Sequence, residues 1–115
     1  LGALANGTYA FQEGAPINKL SGGKNFQESY DKADFAEPPE AYGAFSYAAT
    51  KLLIEIIERV GPDRLLVTQE LNTVQDYDSI IGKISFDSNG QNTVPLITKY
   101  VVKDERWTIW EDIEN

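Results

Sequence analysis

Cysteine, histidine and methionine are all absent from this sequence. Without Cys there is no disulfide and no thiol nucleophile, and without Cys or His the usual zinc-ligand sets cannot form. The common Ser-His and Cys-His catalytic arrangements are excluded for the same reason. Absence of Cys suits an exported bacterial protein. Basic residues are scarce: 10 Lys and Arg stand against 18 Asp and Glu, for a formal net charge of −8. A nucleic-acid partner needs clustered positive charge for its phosphates, and an anionic membrane surface needs the same, so neither class fits. No run of about 18 apolar residues exists to span a bilayer as a helix. No signal-peptide pattern is visible either. The chain opens at Leu1 rather than Met, close to a predicted strand, which suggests a processed or cut chain, with simple trimming as the duller alternative.

What is present reads as one small globular unit. The 115 residues are 42% hydrophobic and 24% charged, an ordinary balance that argues against wholesale disorder. Weak alternation through Thr8, Tyr9, Ala10 and Phe11 predicts a strand over about 4–11. Gly14, Pro16, Ser21, Gly22 and Gly23 predict a loop. Phe26, Tyr30 and Ala33 lie at i, i+4 and i+7 and predict a short helix over 24–35. Pro38-Pro39 is expected to stop that helix and start the next, over about 40–60.

That second helix, "EAYGAFSYAATKLLIEIIERVG", carries the most information. Lys51, Glu55, Glu58 and Arg59 share one polar sector, while Leu52, Leu53, Ile54, Ile56, Ile57 and Val60 spread over roughly 200° of the remainder. A surface helix needs an apolar stripe of only about 100°. Two sides of this helix therefore expect cover, and the rest of the chain is too small to supply both. Gly61-Pro62 ends the helix, and Asp63 is positioned to cap another over about 63–72. Strands are expected over about 82–87, 96–103 and 106–110, with Asn89-Gly90 and Asp104-Glu105 as turns.

Individual motifs offer little chemistry. Gly22-Gly23-Lys24 lacks the phosphate-loop pattern, because Asn occupies both 18 and 25. Asp87-x-Asn89-Gly90 has its glycine fourth and Thr98 twelfth, so it reads as a hairpin turn and not a calcium loop. The Asn6-Gly7-Thr8 sequon is taken as coincidence. The carboxylate pairs Glu37/Glu40, Asp76/Asp78 and Glu111/Asp112 read as solvated faces and not as acid and base. No enzyme, metal site or cofactor is expected. Tyr42, at the start of the long helix, can present its ring to a ligand or simply pack in the core. Trp107 and Trp110, three apart on one strand, point to opposite faces.

The ordered blocks "EPPEAYGAFSYAATKLLIEIIERVG", "YDSIIGKISFDSNGQN" and "KYVVKDERWTIW" resemble the C-terminal part of type I periplasmic substrate-binding proteins, the leucine/isoleucine/valine-binding group of ABC transporters above all. The matching pieces are Pro39 to Tyr42, Gly82 to Gly90 and Tyr100 to Trp107, with Glu105 standing where a turn Gly is usual. The resemblance implies a two-lobed α/β protein of roughly three times this length, its parallel sheets flanked by helices, that closes on a ligand by hinge motion. Residues 1–12 would hold the last core strand of lobe 2. Residues 13–98 would be part of lobe 1, with helices about 24–35, 40–60 and 63–72 and a hairpin from 82. Residues 99–115 would return to lobe 2 as closing strands. Hinges would fall near Gln12–Pro16 and Pro95–Lys99.

The resemblance also implies partners and a site. The ligand would be an amino acid or small organic acid, the recipient an ABC transporter permease, and the location the periplasm or a lipid-anchored extracellular position. The missing cover would come from the remainder of the binding protein or from a second copy of the chain. Tyr42 matches a position that sets an aromatic ring against the ligand. Asn6 matches one where amino-acid binders place an acidic residue that pairs with the ligand ammonium. An Asn cannot neutralise that charge, so a neutral or carboxylate-bearing ligand fits as well. A freestanding protein-interaction module is the competing reading.

Overall fold

In the computed structural model, residues 2–40 and 42–110 are described. They form two compact units, one of residues 2–15 with 95–110 and the other of the described residues between 16 and 94.

The first unit is a three-stranded antiparallel sheet. Its strands are β1 (Tyr9–Glu13), β4 (Ile97–Lys103) and β5 (Arg106–Ile109), in the order β1-β4-β5. Tyr9 stands opposite Val101, and Tyr100 opposite Ile109. Val101 and Val102 are both buried, so each face of β4 is partly covered. The Thr98 hydroxyl, also buried, donates to the Gly14 carbonyl at 2.7 Å. The strand expected over 4–11 starts later than its pattern suggests. Gly2–Ala5 is a short 3-10 helix, closed by Asn6 N–H to Ala3 O at 3.2 Å and Thr8 N–H to Ala5 O at 3.0 Å. Gly7 follows at φ 84°, which an extended strand does not allow. The β4–β5 turn falls at Asp104 and Glu105 as expected, and both are left-handed, at φ 50° and 64°. Two positive φ values are what a two-residue hairpin turn demands, and Asn-Gly would meet the demand without strain. Trp107 lies on one face of β5 and is exposed. Trp110 falls just beyond the end of β5, so the two do not share one strand as expected; its ring is 5.2 Å from that of Tyr9 and lies beneath the Lys99 ammonium at 3.9 Å.

The second unit packs three helices against a small hairpin. The helices are α1 (Gly23–Lys32), α2 (Gly43–Val60) and α3 (Arg64–Leu71), and the hairpin strands are β2 (Tyr77–Ser79) and β3 (Gly82–Ile84). Ala44, Ala48, Leu52 and Ile56 form a buried stripe along α2, one residue per turn. Ala48, Leu52 and Ile56 meet Ile84, with Val67, Leu71, Tyr77 and Ile81 packed around them. Gly61, at φ 83°, returns its N–H to Ile57 O and ends α2. Asp63 then caps α3 as expected, accepting from Leu65 and Leu66 N–H at 2.9 and 3.0 Å.

Both early helices are shorter than expected. The helix expected over 24–35 stops at Lys32, and Asp34 at φ 53° breaks it before Pro38 is reached. The helix expected from 40 begins at Gly43, after a Glu40–Gly43 turn, so Tyr42 is its N-cap residue and lies outside its first turn. The strand expected over 82–87 stops at Ile84, leaving Phe86 to make a single bridge to Asn92 around the Asn89-Gly90 turn. Asp87 Oδ1 holds that turn by accepting from Asn89 and Gln91 N–H. Strand β2 has no counterpart among the expectations, because three residues with one acid give no readable alternation. All strand pairs among the described residues are antiparallel, so the parallel sheet implied by the resemblance has no ladder within them.

The opposite side of α2 is open. Leu53 and Ile57 are each 40% exposed and Ile54 is 51% exposed. The chain covers one stripe of its most apolar helix and leaves the rest to solvent.

Candidate functional site

Asn6 sits between the 3-10 helix and β1. Its Oδ1 accepts the Glu105 N–H at 3.1 Å, at the turn of the β4–β5 hairpin. Gly7 N–H to Val102 O and Val102 N–H to Thr8 O, both 2.9 Å, fix the same segment to β4. The side chain is thus held by the sheet register, with its oxygen turned toward the hairpin. No local pattern signals this tie, because it joins residues 99 positions apart.

Tyr42 is 57% exposed, and its ring meets that of Phe45 edge-on at 6.3 Å. It is not a core residue within its unit, so of its two sequence readings the packed one has no support here. Pro39 and Phe26 lie beside Gly43, which narrows the backbone next to the ring. Asn6 and Tyr42 belong to different units.

An aromatic cavity was not anticipated. About 360 Å³ in volume, it lies in the second unit, walled by Phe26, Tyr30, Phe35, Tyr47 and Ile80. Phe26 touches Tyr30 at 5.9 Å and Tyr47 at 5.6 Å, and Tyr30 touches Phe35 at 4.8 Å. The Phe26/Tyr30 spacing on α1 was the available signal, but Phe35 and Tyr47 arrive from other segments. A smaller cavity of about 200 Å³ is bordered by Tyr77, Lys51 and Asp78. The Tyr77 hydroxyl is buried with no partner in hydrogen-bond geometry. Burial first, then the neighbouring Glu55 carboxylate, push its phenol up to about 12.

The carboxylate pairs do not gather into a reacting centre. Asp78 pairs with Lys83 at 2.8 Å across the β2–β3 hairpin, and that hydrogen bond raises the exposed Lys83 ammonium. Glu111 and Asp112 lie outside the described residues. Among the described residues no three or more Asp or Glu side chains gather where they could hold a metal ion, and no helix is long and apolar enough to cross a membrane.

Comparison with known proteins adds an independent line. A family model described as periplasmic binding protein matches residues 1–105. Among solved structures, the leucine binding protein LivK from Thermotoga maritima is 25% identical with a TM-score of 0.66, covering 94% of this chain and 31% of its own. An ABC transporter substrate-binding protein from Desulfitobacterium hafniense in complex with Leu is 25% identical with a TM-score of 0.68, covering 91% of this chain and 31% of its own. A second structure of an ABC transporter substrate-binding protein from the same organism gives 26% identity, a TM-score of 0.67, and coverage of 94% and 32%. No curated protein matches. The chain spans about a third of the length of the structures it resembles.

Proposed function

From its membership of the periplasmic binding protein family, to which this chain belongs, we propose that it is the C-terminal third of an extracytoplasmic solute-binding protein serving an ABC transporter. One observation carries the reading. The likeness covers 94% of this chain but only 31% of the relative, and the chain leaves its most apolar helix half uncovered. The family relationship therefore accounts for both the fold and the missing surface.

On this reading the parent protein captures a branched-chain amino acid or a related small organic acid and hands it to a membrane permease. It performs no chemistry and needs no cofactor. It resides in the periplasm, or outside the cell on a lipid anchor. The three-stranded sheet unit is assigned to the second lobe and the helical unit to the first. The divisions after Ala15 and before Pro95 support hinges near Gln12–Pro16 and Pro95–Lys99. Tyr42 is assigned to the ligand through its exposed ring, and Asn6 through its side chain held at the start of β1. The exposed face of α2 is assigned to the first-lobe sheet and helices of the parent.

Native mass spectrometry and thermal melting of the isolated 115-residue chain test the fragment reading. Association or a broad, uncooperative melt is expected, because large exposed apolar faces drive self-association. A 12.8 kDa monomer with a sharp cooperative melt would replace it with a freestanding module.

A further inference from the structure

We propose that Asn89 is a site of spontaneous covalent modification, its side-chain amide converting to aspartate or isoaspartate, and that the fold withholds the same reaction from Asn6. The reaction needs no enzyme, oxidant or reductant. The backbone nitrogen of the next residue loses its proton and attacks the asparagine Cγ. A new N–Cγ bond forms, the side-chain nitrogen leaves as ammonia, and a five-membered succinimide remains. Water then opens the ring. Breaking the N–Cγ bond gives aspartate, and breaking the original peptide bond gives isoaspartate, whose main chain runs through the side-chain carbons.

Glycine favours the attack, because it has no β-carbon to shield its nitrogen or to restrict the backbone. Glycine follows Asn6 and Asn89, whereas Lys, Phe or Thr follows Asn18, Asn25, Asn72 and Asn92. Sequence therefore marks two sites and does not rank them.

Tertiary structure ranks them. At position 6 both reacting groups are tied to residues far along the chain. The Gly7 N–H donates to Val102 O at 2.9 Å, and the Val102 N–H donates to Thr8 O at 2.9 Å. Val102 is buried. The Asn6 side chain is held through Oδ1, which accepts the Glu105 N–H at 3.1 Å. Attack at Asn6 thus requires the segment before β1 to leave β4 while the side chain leaves the hairpin turn. Openings that break long-range pairing are the least populated.

At position 89 the ties are local. Ser88, Asn89 and Gly90 are all exposed. The Gly90 N–H donates to Asp87 O at 2.9 Å, inside a single turn. Among the described residues the Asn89 side chain has no hydrogen bond, so its Cγ is free to swing onto the Gly90 nitrogen. Beyond the turn stands one isolated bridge, Phe86 to Asn92, and no longer ladder. Exposed tips of small polar residues open readily. Asp87 acts as the brake. Its Oδ1 keeps the turn closed by accepting from Asn89 and Gln91 N–H at 2.8 and 2.9 Å. Its negative charge also opposes loss of the proton from the nearby Gly90 nitrogen.

Peptide mapping by mass spectrometry tests the proposal on the full-length protein that carries this segment, incubated at mildly alkaline pH. Asn89 should convert about tenfold or more faster than Asn6 in the folded protein, as a mixture of aspartate and isoaspartate. In urea sufficient to unfold the protein, the two rates should converge, because the fold no longer distinguishes them. D87A should accelerate conversion of Asn89 about threefold or more and leave Asn6 unchanged. Equal rates at Asn6 and Asn89 in the folded protein would overturn the proposal. So would an Asn89 that converts in urea and stays intact when folded. An unchanged Asn89 rate in D87A would overturn the role given to Asp87.

Discussion

Ile57 provides the sharpest check on how α2 is used. Its neighbour Ile56 is fully buried within the chain, so Ile56→Ala removes packed methylenes outright and should destabilise by about 2–5 kcal/mol in any context. Ile57 is 40% exposed in the chain alone and points about 100° around the helix from Ile56. If that face stays open in the parent protein, Ile57→Lys loses part of one side chain's burial. The lysine stem can lie along the surface with its ammonium in water, so the loss stays near 1 kcal/mol. If the first-lobe sheet covers the face, the same change buries an unpaired ammonium and removes the apolar contact. The penalty then reaches several kcal/mol, comparable to Ile56→Ala or larger. Urea denaturation of the full-length protein measures both variants against wild type, with equal m-values as the condition for comparing midpoints. A loss of 3 kcal/mol or more for Ile57→Lys is expected, with about as much reserved for a buried charge. A loss below about 1 kcal/mol, beside a large Ile56→Ala effect, would refute the idea that parent surface covers α2.

The remaining expectations concern single sites. Tyr42→Ala in the full-length protein should weaken ligand binding with little change in melting, because the ring is mostly exposed and meets Phe45 edge-on; unchanged affinity by titration would remove Tyr42 from the site. Asp63→Ala should destabilise by about 1 kcal/mol through loss of two cap hydrogen bonds, and Asp63→Asn by less, as read from chemical melts. For Tyr77 the folded phenol is raised from 10 to about 12, so the folded state keeps a proton that the unfolded state releases. Stability should therefore be full below pH 10 and fall as pH rises toward 12, and Tyr77→Phe should flatten that fall in a pH series of melting temperatures. An equal decline in both proteins would show that other groups govern the alkaline limb.

Helix α2, the α3 cap and the β4–β5 hairpin were legible because each rests on local chemistry. Periodicity, an Asp followed by a leucine run, and a two-residue acidic turn act within a few positions of one another. The boundaries around Lys32 and Tyr9 were not legible, since they depend on Asp34 and Gly7 entering left-handed backbone, and that at Gly43 was not because a Glu40–Gly43 turn precedes the helix. Strand β2 was missed because its order comes from pairing with β3 and not from its own residues. Asn6 was reachable only through the resemblance, and Tyr42 was marked by its place at the start of α2 but left between two readings without it. The exposure of Tyr42 and the tethering of Asn6 became visible only in three dimensions.

The sequence by itself determined that no thiol, imidazole or strongly basic chemistry is available, and that α2 carries more apolar surface than so small a chain can bury. Those are consequences of composition and helical periodicity, which need no partner to be true. Only the tertiary structure decided which stripe of α2 the chain covers, and that Asn6 and Glu105 touch. Both depend on packing and strand register between residues far apart in the chain, where hydrogen bonds and burial are set by the fold as a whole.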